Sequence, residues 1–150
     1  MKLAATVGLA VLGVAGIVGI YAATRDSPAA TVATQAQAEA ALAALHDARG
    51  DHDALCELGT SVGNCRALLQ DAGDAPEAVP AVVCSVEYLG DSTHASGLIV
   101  RIHTDGRSAD TEALVLNLDG ETRYMNPVYW NGARVSNEGV ATPGAEYACE

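Results

Sequence analysis

Residues 3–23, LAATVGLAVLGVAGIVGIYAA, carry no charged side chain. An unbroken apolar run of about 20 residues, at about 1.5 Å rise each, spans the ~30 Å hydrocarbon core of a bilayer as a helix. The pattern then breaks. Residues 24–34, TRDSPAATVAT, show little periodicity, and Pro28 stops any helix running straight out of the first segment, so they read as a linker. In QAQAEAALAALHDARG, Ala38, Ala41, Leu42 and Leu45 recur at the spacing of one helix face, among strong helix formers. Gly50 is expected to close this helix, and Asp51 to cap a short second one, DHDALCELG. Gly59 and Gly63 then bracket a turn, a third helix begins with Asn64 as its cap, and it ends near Gly73.

After a Pro-bounded acidic link the period shortens to two at Ala81. AVVCSVEYL is alternating and β-branched. HASGLIVRIHT places Leu98, Val100 and Ile102 on one face and Ile99, Arg101 and His103 on the other. TEALVLNL aligns Leu114, Leu116 and Leu118, and DGE is a tight hairpin signal. TRYMNPVYW reads as a fourth strand, with Pro127 marking an edge or a bulge. Helices followed by an antiparallel meander make an α+β layer fold, with the helices on one face of a curved sheet, over residues 35–150.

The apolar N-terminal run is longer than a signal-peptide core of about 7–15 residues. The cleavage points after Ala22 and Ala29, with Ile20 or Ser27 at the −3 position, are weak. A retained single-pass anchor over residues 1–23 is therefore expected. Lys2 and the amino terminus precede it and every acidic residue follows it, so the positive-inside rule places Met1 in the cytoplasm and the domain outside the plasma membrane. Within the anchor, Ala15, Gly19 and Ala23 recur at i+4, a small-residue face that permits close packing on another transmembrane helix, from a partner or a second copy.

The net charge of −11, with Lys2 as the sole lysine, excludes nucleic acid as a partner, since phosphate neutralisation takes clustered cations. Cys56, Cys65, Cys84 and Cys149 all follow the anchor, and an even count outside the membrane reads as two disulfides. Gly59 and Gly63 let the chain double back between the first pair, so Cys56–Cys65 is expected, and Cys84–Cys149 with it.

Residues 35 to about 130 resemble the NTF2-like superfamily, in particular its exported, membrane-anchored members in high-GC Gram-positive bacteria. The likeness lies in ALHDARGDHDALCELG, GNCRALLQDAG, VEYLGDSTHASGLIVRI and ALVLNLDGETRYMNPV, in that order. It implies a cone of helices on a curved sheet. It also implies a sharp turn between the first two helices, and an aromatic packed into the cone after the Asp119-Gly120-Glu121 turn, here Tyr124. The fold hosts enzymes, binding modules and interaction domains alike, so it implies no activity.

No catalytic constellation stands out, and no cofactor or metal is implied. His46, Asp47, Asp51, His52 and Asp53 are dense in potential metal ligands, but helix geometry points the two histidines apart, and the aspartates suit helix starts. His94 and His103 stand too far apart along one strand to share a ligand. If the cone holds a cavity, Arg101, His103, Tyr124 and Trp130 are the candidates to line it, with Glu87, Asn117 and Arg123 candidates for the face that carries Arg101 and His103. The expected role is that of a non-enzymatic accessory or interaction subunit of a larger membrane complex. A ligand-binding or enzymatic cavity domain is the alternative. A pilin-like subunit is a third reading, weakened by Pro28 and by the lack of an acid early in the apolar run.

Overall fold

A computed structural model describes residues 31–90 and 96–135. The expected anchor with Ala15, Gly19 and Ala23, most of the linker, His94 and Cys149 lie outside the described residues. Among the described residues no helix is long and apolar enough to cross a membrane.

Three helices precede four strands: α1 (Gln35–Ala48), α2 (His52–Glu57), α3 (Val62–Asp71), β1 (Ala81–Tyr88), β2 (Gly97–His103), β3 (Thr111–Leu118) and β4 (Glu121–Tyr124). The strands form one antiparallel sheet in chain order. The α+β class and the helices-then-meander order are as the periodicity predicts.

Helix starts follow local chemistry. Thr34 and Gln37 form a reciprocal capping box at α1. The Asp51 carboxylate accepts from the backbone N–H groups of Asp53 and Ala54 at α2. The start of α3 differs from expectation: Ser61, not Asn64, is the cap, accepting from the Asn64 N–H, and Gly63 lies inside the helix rather than in a turn. Ser and Asn are equally good caps, so residue type alone leaves the choice open. The end of α1 differs too. Arg49 is its C-cap, and Gly50 does not take the left-handed conformation that a glycine stop uses.

Ala38, Leu42 and Leu45 of α1 are buried as expected, against Leu98, Val100 and Ile102 of β2 and Ala113 and Val115 of β3. Cys56 and Cys65 form a disulfide, Cα–Cα 5.4 Å, that ties α2 to α3 inside this core. The hairpin between β3 and β4 turns on Asp119 (φ 53°) and Gly120 (φ 83°). Two consecutive positive φ values make the type I′ turn that matches strand twist.

The fourth strand is shorter than predicted and ends before Pro127. Met125 donates one more backbone bond to Leu114, and then the Asn126 side chain accepts from the Val128 N–H. Pro127 has no N–H to extend a ladder. The chain folds inward instead and delivers Val128, Tyr129 and Trp130 to the core.

The sheet is apolar on both faces. Register pairs Leu98 with Val115 and Ile99 with Leu114, so Leu98, Val100 and Ile102 face the helices, whereas Ile99, Leu114 and Leu116 face the other way. A bulge at β1 between Val82 and Cys84 shifts its alternation by one. Val82 therefore packs with the helix-side core, while Val86 and Tyr88 join the second cluster.

Candidate functional site

The four residues expected to line a cone cavity do not share one. Tyr124, at the end of β4, is fully buried and its hydroxyl donates to the Ala38 carbonyl at 2.8 Å, so it fills the space between α1 and the sheet. Burial raises its pKa. Trp130 is also buried, with its indole N–H donating to the Gly73 carbonyl at 3.2 Å. Between Trp130 and α1 stands Tyr129, edge-on to Trp130 with ring centroids 4.9 Å apart, its hydroxyl 2.9 Å from His46 Nδ1. Burial pushes the Tyr129 hydroxyl up to about 12. These rings join the interior that a hollow cone would leave open.

Arg101 and His103 lie on the opposite face of the sheet, with Ile99. The face predicted to carry them with Glu87 and Asn117 is divided. Glu87 pairs with Leu98 and Asn117 follows Val115 by two, so both fall on the helix side. Arg123 turns to the end of α2, donating to the carbonyls of Glu57 and Gly59.

Two polar clusters occupy the second face near the ends of β2 and β3. Arg101 meets Glu112 at 3.2 Å directly across the pair, and Arg134 approaches the same carboxylate at 3.7 Å. Glu112 is buried, and these two cations offset its loss of water. Half-exposed His103 sits between Asp110 (Nδ1 to Oδ1, 2.8 Å) and Asp105 (Nε2 to Oδ1, 3.3 Å). A neutral imidazole has one N–H and two acceptors to serve, whereas the cation has two. The hydrogen bond to Asp110, then that to Asp105, accordingly raises the His103 pKa above 6.5. Such a ring is favoured in its protonated form, as the cation of an ion pair with the two carboxylates.

The His/Asp-rich junction of α1 and α2 is divided among separate tasks. His46 faces Tyr129, Asp51 caps α2, and Asp53 pairs with Arg66 at 2.8 Å. Asp47 and His52 border an open surface groove of about 640 Å³, with Arg49, Gln70, Asp74 and Glu77. The Arg49 guanidinium there is held by the His46 carbonyl and Glu77, each at 2.8 Å. Among the described residues, no group of three or more His, Cys, Asp and Glu side chains is placed to hold a metal ion.

Sequence reasoning missed the His103–Asp110–Asp105 cluster, the Arg101–Glu112 pair and the His46–Tyr129 contact. The alternation put Arg101 and His103 on one face, but their partners are set by strand register and by the β2–β3 turn. Compared with protein-family models, with curated proteins and with solved structures, the chain matches none.

Proposed function

We propose that this chain is a single-pass membrane protein whose α+β domain, NTF2-like in layout, stands outside the plasma membrane as a non-enzymatic accessory subunit of a larger membrane complex. The observation that carries this reading is the filled interior. Leu42, Leu45, Leu55, Tyr124, Tyr129 and Trp130 pack together in the core between the helices and the sheet, the space in which a ligand cavity would have to open. The polar side chains expected to serve such a cavity, Arg101 and His103, lie on the other face in ion pairs. An acidic domain on a short tether then acts through its surface.

The anchor supplies the contact within the bilayer. Lipid gives no hydrophobic drive between helices, so close backbone approach at small residues such as Ala15, Gly19 and Ala23 is a main route to association. The test is the full chain carrying Ala15→Leu and Gly19→Leu, which keeps insertion and blocks close packing. The variant should lose the oligomer or the co-purifying partners that the unaltered chain retains in mild detergent. Identical behaviour of the two chains refutes the role of the anchor face. A turnover measured for the purified domain and abolished by His103→Ala would refute the non-enzymatic reading.

A further inference from the structure

The two edges of the sheet are treated differently. At the β4 edge, Thr60 donates to the Tyr124 carbonyl and Gly59 bridges to Tyr124, so the loop after α2 covers it. At the other edge stands β1, and among the described residues no strand lies beyond it. Which of its backbone groups point outward follows from the ladder. Met125 donates to the Leu114 carbonyl, so the backbone groups of Leu114 point toward β4 and those of Ala113 and Val115 toward β2. Their partners Val100 and Leu98 are thus spent on β3, and Ile99 and Arg101 turn to β1, where they meet Val86 and Cys84. The N–H and C=O groups of Ser85 and Glu87 therefore point away from the sheet. An outward row of this kind is a template for another strand. The one edge defence here is the bulge between Val82 and Cys84, and pairing from Cys84 to Tyr88 is regular.

The sequence of this edge is complementary to itself. Two antiparallel copies align residues whose groups point at each other, so a dyad falls on Ser85, Val86 or Glu87. On Glu87 it sets two carboxylates face to face, and on Ser85 it sets Glu87 against the bulged Val83. On Val86 it sets each Glu87 opposite a neutral Ser85, a fit that matters in a chain of net charge −11. One step further out, Val83 of one copy then meets Leu89 of the other. These two apolar side chains are 53% and 66% exposed.

We propose that β1 pairs antiparallel with β1 of a second copy about a dyad at Val86, joining two sheets into one of eight strands. Ser85 and Glu87 exchange four backbone hydrogen bonds with Glu87 and Ser85 of the second copy. A dyad normal to the sheet keeps both helix layers on one side. Thr31, the first described residue, is bonded to Asn117 on that side, so both chains approach a membrane from the same face. The contact is small, and two copies held in one membrane gain the effective concentration that it needs. It lies in the domain and is separate from the anchor face.

The test is oxidative cross-linking of the full chain in membranes. Opposed residues of a non-hydrogen-bonded pair have Cα atoms about 4.5 Å apart, within disulfide range. Val86→Cys should therefore give a dimer whose link maps to position 86 in both copies. Glu87→Cys, displaced from the dyad, should give at least tenfold less. Ser85→Pro removes an outward N–H and leaves the β1–β2 ladder intact, so added to Val86→Cys it should also cut the yield at least tenfold. Leu89→Asp, outside the strand, should act in the same direction. The link should survive Ala15→Leu with Gly19→Leu, so failure of the anchor face leaves it standing. No dimer from Val86→Cys, or a link from position 86 to another cysteine of the same chain or to another protein, overturns the proposal. Equal yields from Glu87→Cys, yields unmoved by both Ser85→Pro and Leu89→Asp, or loss of the link with the anchor changes also overturn it.

Discussion

His103 shows how two carboxylates decide the state of one ring. Asp110 and Asp105 both need an N–H from it, so protonation is favoured in the folded chain and the pKa lies above 6.5. The stabilisation is therefore fully present below pH ~6.5 and is lost as pH rises through the folded-state value. An NMR titration of the ring should give a midpoint above 6.5, moving back toward 6.5 in Asp110→Asn. An unchanged midpoint in that variant would show that Asp110 is not the main cause. Glycines offer a second test at this scale. A Cβ on Gly97 would lie 2.5 Å from the Val115 carbonyl oxygen and 2.7 Å from Leu116 Cδ2. The obstacle is partly backbone, so Gly97→Ala should cost about 2 kcal/mol or more. At Gly50 nothing lies within 4 Å and φ is not left-handed, so Gly50→Ala should be neutral or stabilising by up to about 1 kcal/mol. Urea unfolding of both variants ranks them, and a reversed order would contradict the packing described for β2.

Among the elements, α2 and α3 depend most on a covalent tie. α2 has six residues, too few to be stable as an isolated helix. The Cys56–Cys65 disulfide closes a short loop, worth about 2.5 kcal/mol by loop-entropy scaling. Thr60 adds a backbone bond from its N–H to the Tyr124 carbonyl, joining the loop after α2 to the end of β4. Replacing both cysteines with Ala should lower unfolding free energy by roughly that amount, measured with Cys84 and Cys149 left unaltered and without reductant. A loss below about 0.5 kcal/mol would mean that packing of Leu55 and the bond to Tyr124 already hold α2 in place.

For the whole molecule, both faces of the sheet are apolar, and the domain buries them in different ways. The helix layer covers one with side chains spaced on a helical period, and on the other Tyr88, Ile99, Leu114 and Leu116 cluster with Val86, Leu118 and Val135. The proposed topology has a direct test at this scale. Protease added to intact spheroplasts should digest the domain, because positive charge precedes the apolar run and all acidic residues follow it. A domain protected until the membrane is breached would reverse that placement. The α+β class was legible because it rests on short-range periods: 3.6 for Ala38, Leu42 and Leu45, and two for Leu98, Val100 and Ile102. The Cys56–Cys65 pairing was legible too, since nine residues with a turn between them leave little choice of partner. Register was not. Nothing local in TEALVLNL says that Leu114 sits across from Ile99 rather than Leu98, or that a bulge at Val83 turns Cys84 to the second face. Those follow from how strands far apart in the chain align, and a slip of one residue would exchange the two faces. The fate of the aromatics was equally non-local. Tyr124 and Trp130 fill the interior because Ala38 and Gly73, 86 and 57 residues away, present carbonyls to them. A buried polar ring tip must find such an acceptor, and only the assembled fold provides it.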